Sequence, residues 1–142
     1  MFSSCPESRR LAGVRFRAGY RSREHCNRKG LIQKMSDYGV VFITASSQEE
    51  AEKIASGLVE KKLVACVNIF PGIQSLFWWE GNLCREQEVF MMAKTRAALF
   101  PQVRDEVKKL HSYKVPEIIL LPIAEGSADY LAWIKDVTLR MP

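Results

Sequence analysis

The stretch from residue 63 to residue 95 restricts the possible folds of this chain more than any other. It consists of an uncharged run, Leu63–Trp79, rich in β-branched and aromatic residues, then Glu80-Gly81-Asn82, then an alternating run back to Thr95. Two such runs around a glycine-containing turn are typical of a β-hairpin. At roughly 3.3 Å per residue, an arm over residues 64–80 would extend on the order of 50 Å. A domain of about 100 residues has a radius of gyration of about 13 Å. The hairpin must therefore project from its own domain.

The end of this hairpin is apolar on both faces. Alternation along the first arm places Leu76 and Trp78 on one face, and the other face carries Ile73, Ser75, Phe77 and Trp79. A projecting ribbon with two apolar faces needs cover from other chains. We therefore expect a closed homo-oligomer with function at its interfaces. Trp78 and Trp79 could instead stack on a ligand, but aromatic residues are enriched in interfaces.

The remaining patterns predict an α+β fold with the order β-α-β-β-α-β and a short C-terminal helix. The apolar run at 39–45 predicts a strand, and the S-x-x-E sequence from Ser47 to Glu50 begins a helix whose acidic residues, Glu50 included, are expected to face water. Pro71-Gly72 predicts a bulge within the hairpin. A second helix reaches about His111, and a buried strand spans residues 118–123. The last helix follows residues 126–127, with its inward side formed by Tyr130, Leu131, Ile134 and Val137. This order folds into a ferredoxin-like sandwich, a four-stranded antiparallel sheet with two helices on one face.

Charge is divided unevenly along the chain. Residues 1–35 hold nine Lys or Arg and two Glu, whereas residues 36–142 hold twelve Lys or Arg and fourteen acidic residues. We predict a disordered basic extension over 1–35, either an organelle transit segment or an extension without a structural role, and one domain over 36–142. The domain is mildly acidic, which argues against a nucleic-acid partner. The uncharged run at 63–79 is too interrupted by polar residues, Pro and Gly for a membrane span. We expect a cytoplasmic protein, or an organellar one if 1–35 is a transit segment.

The segment from His111 to Glu117 is the candidate for chemistry. A His and a Glu around one turn can share a divalent cation, and imidazole suits copper or zinc. Alternatively, a protonated His111 caps helix carbonyls and Glu117 pairs with a nearby base. Phosphate-binding glycine loops and the nucleophile and zinc-protease motifs GxSxG and HExxH are absent from the sequence. We therefore expect neither an enzyme nor an organic cofactor.

Several strings resemble the CutA divalent-cation tolerance family in order and spacing. The match covers about residues 38–137, and the strings are Ala65-Cys66-Val67-Asn68-Ile69, Pro71-Gly72-Ile73, Ser75-Leu76-Phe77-Trp78-Trp79-Glu80-Gly81, Glu88-Val89, Lys94-Thr95, His111-Ser112-Tyr113, Pro116-Glu117-Ile118, Leu121-Pro122-Ile123 and Tyr130-Leu131-Ala132-Trp133. The resemblance implies a homotrimer of ferredoxin-like subunits, similar in architecture to the PII signalling trimers. It also implies a role in the response to copper and other divalent cations.

Carried over residue by residue, the resemblance implies His111 and Glu117 as ligands of Cu²⁺ or another divalent cation. Two further ligand positions of the family hold Ile43 and Leu110 here, and Ser112 replaces the usual Pro, so the predicted site is weak. The trimer interface is expected to contain the tip aromatics and a charge pair across the subunit boundary, namely Phe77, Trp78, Trp79, Glu88 and Lys94. The alternative function is a PII-like trimeric sensor or scaffold that binds a small anionic metabolite or a partner protein.

Overall fold

The computed structural model describes residues 36–139 and contains the elements of a ferredoxin-like sandwich in the predicted order. The predicted extension over 1–35 lies outside the described residues, as do residues 140–142 of the predicted domain. The elements are β1 (Tyr38–Ala45), α1 (Gln48–Glu60), β2 (Cys66–Trp79), β3 (Asn82–Arg96), a 3₁₀ turn (Ala97–Leu99) that continues into α2 (Phe100–Leu110), β4 (Ile118–Pro122) and α3 (Ala128–Val137). The sheet is antiparallel with the strand order β2-β3-β1-β4. The prediction of the fold is confirmed.

The core lies between one face of the sheet and the two helices α1 and α2. The alternation along the strands and the helical spacing of apolar residues bring these side chains to one layer. Fully buried members are Val41, Ile43, Met91 and Ala93 from the sheet and Ala51, Ile54, Leu58, Val103 and Val107 from the helices. This layer fixes the positions of the strand and helix ends from which the candidate site is built.

The hairpin of β2 and β3 is the longest feature of the sheet. Its strands hold 14 and 15 residues and remain paired as far as Trp79 and Asn82. Glu80 and Gly81 form the turn with φ values of 48° and 79°. Positive φ at both central residues is typical of the two-residue turns that match the twist of hairpin strands. The predicted turn was one residue too long, since Asn82 is already part of β3.

A bulge divides β2 into two parts, as Pro71-Gly72 predicted. Phe70 pairs with Phe90, but the next pair is Ile73 with Glu88, so β2 contains one residue more than β3 over this interval. Gly72 has a φ of 78°, a value that L side chains rarely adopt. The bulge lies at an edge strand, where the loss of regular pairing is tolerated.

The sheet face opposite the helices also carries apolar side chains. Phe42 and Phe90 meet there with ring centroids 5.1 Å apart. On the same face Ile119 pairs with Phe42 and Leu121 pairs with Val40, and both β4 side chains are exposed. The β1 residues of this face are less exposed, since Val40 and Phe42 are half-buried and Thr44 is buried. Within residues 36–139, no helix has the length and apolarity required to cross a bilayer.

Candidate functional site

The loop after α2 places His111 between the ends of two elements. Its backbone N–H donates to the carbonyl oxygen of Val107 at 2.9 Å, which ends the helix. Its side chain is fully buried, and Nε2 lies 2.7 Å from the carbonyl oxygen of Thr44 near the end of β1. A carbonyl only accepts hydrogen bonds, so Nε2 carries the proton. Nδ1 accepts from the backbone N–H of Tyr113 at 2.9 Å, so the imidazole is a neutral tautomer with both nitrogens engaged.

Glu50 of α1 completes this site. Its Oε2 accepts from the backbone N–H and the hydroxyl of Ser46, both at 2.8 Å, and its Oε1 accepts from the backbone N–H of Ser112 at 2.5 Å. Oε1 lies 3.9 Å from Nδ1 of His111. Partial burial opposes ionisation, but the hydrogen bonds from Ser46 and Ser112 outweigh it and lower the pKa of Glu50. The carboxylate therefore joins the start of α1 to the loop after α2.

The Glu50 side chain was expected to face water, but it is half-buried and hydrogen-bonded to Ser46 and Ser112. The capping box is only half formed in the usual way. The Ser47 hydroxyl accepts from the Glu50 N–H at 3.2 Å, but the Glu50 carboxylate reaches Ser46 rather than the N–H of Ser47. The S-x-x-E pattern was thus a correct signal for the helix start. It carried no information on the loop 62 residues away in sequence.

The structure does not by itself assemble a metal centre from the predicted ligands. Among the described residues, no group of three or more His, Cys, Asp and Glu side chains converges on one point. Glu117 lies one residue before β4 and is half-buried. The ring of His111 bonds to Thr44 rather than to the carbonyls of its own helix, so it does not cap them with its side chain. Coordination by His111 and Glu117 stays a prediction.

The residues predicted at a subunit interface lie on two faces of the hairpin. Trp78 is 72% exposed and pairs with Leu83, which is 62% exposed. Phe77 and Trp79 lie on the opposite face and are half-buried. Glu88 is buried, and Lys94 is half-buried with its ammonium hydrogen-bonded to the Asn68 side chain and to the carbonyl oxygen of Met92. The predicted pairing of Glu88 with Lys94 across a subunit boundary stays a prediction.

The sheet order and the extended hairpin define a ferredoxin-like protein. In this protein, hydrogen bonds of His111 and Glu50 join β1, α1 and the loop after α2. A family model described as CutA1 divalent ion tolerance protein matches residues 39–137. The chain belongs to this family.

Individual relatives support the assignment. The divalent-cation tolerance protein CutA of Thermus thermophilus is 48% identical over 99 residues, which cover 70% of this chain and 96% of the relative. A solved structure of the Thermus thermophilus protein covers 71% of this chain and 98% of its own, with a TM-score of 0.70. Protein CutA 1, chloroplastic, of Oryza sativa is 42% identical over 70% of this chain and 56% of its own length.

Proposed function

We propose that this chain acts as a homotrimeric divalent-cation tolerance protein whose copies enclose the ends of their hairpins. The observation that carries the proposal is the apolar surface at the end of the hairpin. Its three exposed members lie on one face, where Leu76, Trp78 and Leu83 are 55%, 72% and 62% exposed. Burial of a large apolar side chain stabilises an assembly by about 1.5–3 kcal/mol, so this surface favours association.

A second apolar surface favours association with copies of the same chain. The sheet face opposite the helices exposes Phe70, Ile119 and Leu121 by 45%, 48% and 39%. Two separate apolar surfaces on one chain can both be covered when copies are related by rotation and the ring closes. Glu88 and Lys94 would supply the charged contacts of such an interface.

Sedimentation equilibrium of the full chain at micromolar concentration tests this proposal. The expected mass is three times the 16.2 kDa of one chain. A monomer would contradict association, and a dimer would contradict the trimer.

We also propose that divalent cations bind weakly at His111 and Glu117, with Cu²⁺ as the first candidate. The metal would take Nδ1 of His111 in place of the Tyr113 N–H, because Nε2 is turned to the Thr44 carbonyl. The exchange of one hydrogen bond for one coordination bond explains why binding is weak. The Glu117 carboxylate would supply the second ligand.

Calorimetry with Cu²⁺ tests the metal proposal on wild type, His111→Ala and Glu117→Gln, with Glu125→Gln as the matched control. We expect a small binding heat in wild type and in the control that both other variants lose. Indistinguishable isotherms for all four proteins would remove the site.

We propose a cytoplasmic location for the protein. The relative from rice is named chloroplastic, so an organelle is the alternative. Fluorescence microscopy of the full chain with a C-terminal tag distinguishes the two. A signal confined to an organelle would contradict the cytoplasmic proposal.

A further inference from the structure

Both ring nitrogens of His111 are closed off from solvent. The side chain has no exposed surface, and Nε2 is bonded to the carbonyl oxygen of Thr44 in the central strand β1. The Tyr113 N–H covers Nδ1 at 2.9 Å. A cation therefore reaches Nδ1 only after the backbone at Tyr113 has moved away. The metal site proposed above thus requires a second position of the loop after α2.

The loop that covers the ring lies at the surface. Residues 111–117 belong to neither a helix nor a strand. Three of them, Ser112, Lys114 and Val115, are exposed. Segments with few buried side chains open locally at a lower free energy than the core of a protein. A displacement that begins after His111 would uncover Nδ1 and leave the core unchanged.

A carboxylate holds this loop in place. Oε1 of Glu50 accepts from the Ser112 N–H at 2.5 Å. Oε2 accepts from the N–H and the hydroxyl of Ser46, both at 2.8 Å, which fixes the carboxylate at the start of α1. The Glu50 side chain is only 10% exposed, so water competes little for these bonds. Since hydrogen bonds to an ionised group are stronger than neutral ones, the bond to Ser112 is a strong loop contact.

The bonds of Ser112 and Tyr113 depend on each other through the chain. The two N–H groups belong to consecutive residues, one bonded to Glu50 and the other to His111. Consecutive Cα atoms are about 3.8 Å apart, so Tyr113 cannot move far while Ser112 stays on the carboxylate. Release of Ser112 removes this restraint on Tyr113.

We propose that the bond between Glu50 and the Ser112 N–H is a latch that keeps the loop over His111 and so regulates the access of cations to Nδ1. The inference rests on the metal site proposed above and adds its regulation. A site that is open for a fraction of the time has an apparent affinity reduced by that fraction. The Glu50 charge, with Oε1 3.9 Å from Nδ1, also attracts a cation once the loop is open. Variants must therefore separate the latch from the charge.

Amide hydrogen exchange on the full chain without metal tests the latch. In Glu50→Ala we expect the Tyr113 N–H to exchange about tenfold faster than in wild type, because a charge-assisted bond that opposes opening is lost. Ser112→Pro removes the donor and keeps the carboxylate, and it should accelerate the exchange in the same way. The His111 N–H donates within the last turn of α2 and should be affected much less, since α2 stays folded when only the loop opens. Glu49→Ala, at an exposed residue of the same turn of α1, is the matched control.

Calorimetry with Cu²⁺ tests the regulation. Ser112→Pro should bind about tenfold more tightly than wild type, because its site is open more often while the Glu50 charge is retained. Glu50→Ala should gain less, because it also loses the attraction of the carboxylate. A tighter site is a result that a purely structural role of the latch would not produce.

The two measurements separate the latch from the metal site. Unchanged exchange of the Tyr113 N–H in both variants overturns the latch, whether or not Cu²⁺ binds. Measurable binding with equal affinities in wild type and Ser112→Pro overturns the regulation. Faster exchange without Cu²⁺ binding in any of the proteins supports the latch and contradicts only the proposed metal site.

Discussion

Nε2 of His111 donates to the carbonyl oxygen of Thr44 across 2.7 Å, and both groups are buried. This bond links the loop after α2 to the end of β1. Glu50 adds a link from the start of α1 to the same loop. Three elements that are distant in sequence therefore meet at one hydrogen-bonded cluster, formed by Thr44, Ser46, Glu50, His111 and Ser112.

His111→Ala should destabilise the protein by about 2–3 kcal/mol, since it leaves the Thr44 carbonyl without a donor and opens a small cavity. Urea unfolding followed by circular dichroism measures the change. His111→Gln retains an N–H donor and should lose less. Equal stability of wild type and the alanine variant would show that the bond contributes nothing.

Glu50→Gln should make stability less sensitive to acid. The hydrogen bonds to the carboxylate hold the folded-state pKa of Glu50 below its ordinary value of 4.5. A lowered folded-state pKa stabilises the protein above the ordinary value, and this contribution disappears as the pH falls through the folded-state pKa. Wild type should therefore lose more stability than the variant between about pH 6 and about pH 3. Denaturant unfolding across this range measures it, with Glu49→Gln as the control; parallel curves for wild type and Glu50→Gln would contradict it.

Ser112→Pro tests the same interaction by removing the donor to the Glu50 carboxylate instead of the carboxylate itself. Proline has no N–H, so Glu50 would lose its donor at Oε1. His111 has φ −82° and ψ 138°, a conformation that suits a residue before proline. We expect an intact fold with a smaller loss of stability in acid than wild type. Ser112→Ala retains the N–H but removes the hydroxyl, which also lowers the pKa of Glu50, so it should show only part of the change. If both variants change the acid response equally, the hydroxyl accounts for the effect and the backbone N–H does not.

Lys61→Met should destabilise the protein through Glu106. The Glu106 side chain is buried, and Lys61 lies 2.6 Å from its Oε1, whereas Lys109 lies 3.7 Å from Oε2. The contact with Lys61 is the main reason that the pKa of Glu106 is lowered. We expect a loss of about 1 kcal/mol in the free energy of unfolding, limited by the half-exposed position of Lys61. Lys109→Met should lose less, and an equal or larger loss there would contradict the assignment.

The double variant Trp78→Glu and Leu83→Lys should dissociate the proposed trimer into monomers. The two side chains are cross-strand neighbours on the exposed face of the hairpin, and the new pair of charges is compatible with strand pairing. Sedimentation velocity measures the change. Val59→Glu, at an exposed apolar residue of α1, is the control and should leave the assembly intact. A trimeric double variant would place the interface elsewhere.

The alternation of residues was sufficient to predict the order of the elements, because strand and helix periodicity reflect local burial. It predicted the bulge from Pro71-Gly72 and the start of α1 from Ser47 for the same local reason. It was less accurate for α3, whose expected inward face is only partly buried: Ile134 is fully buried, Leu131 and Val137 are half-buried, and Tyr130 is 43% exposed. The Thr44 carbonyl that His111 contacts and the Ser112 N–H that donates to Glu50 are each more than 60 residues away in sequence from their partners. No periodic pattern indicates such contacts.

The extra residue at Pro71-Gly72 determines the orientation of every side chain beyond it on β2. Before the bulge, even-numbered residues such as Phe70 lie on the face opposite the helices, and beyond it odd-numbered residues such as Phe77 do. If the register of Phe70 with Phe90 continued without the bulge, Trp78 would lie opposite Asn82 instead of Leu83, and Trp78 and Trp79 would exchange faces. The bulge therefore decides which surface the distal ribbon presents to any neighbouring molecule.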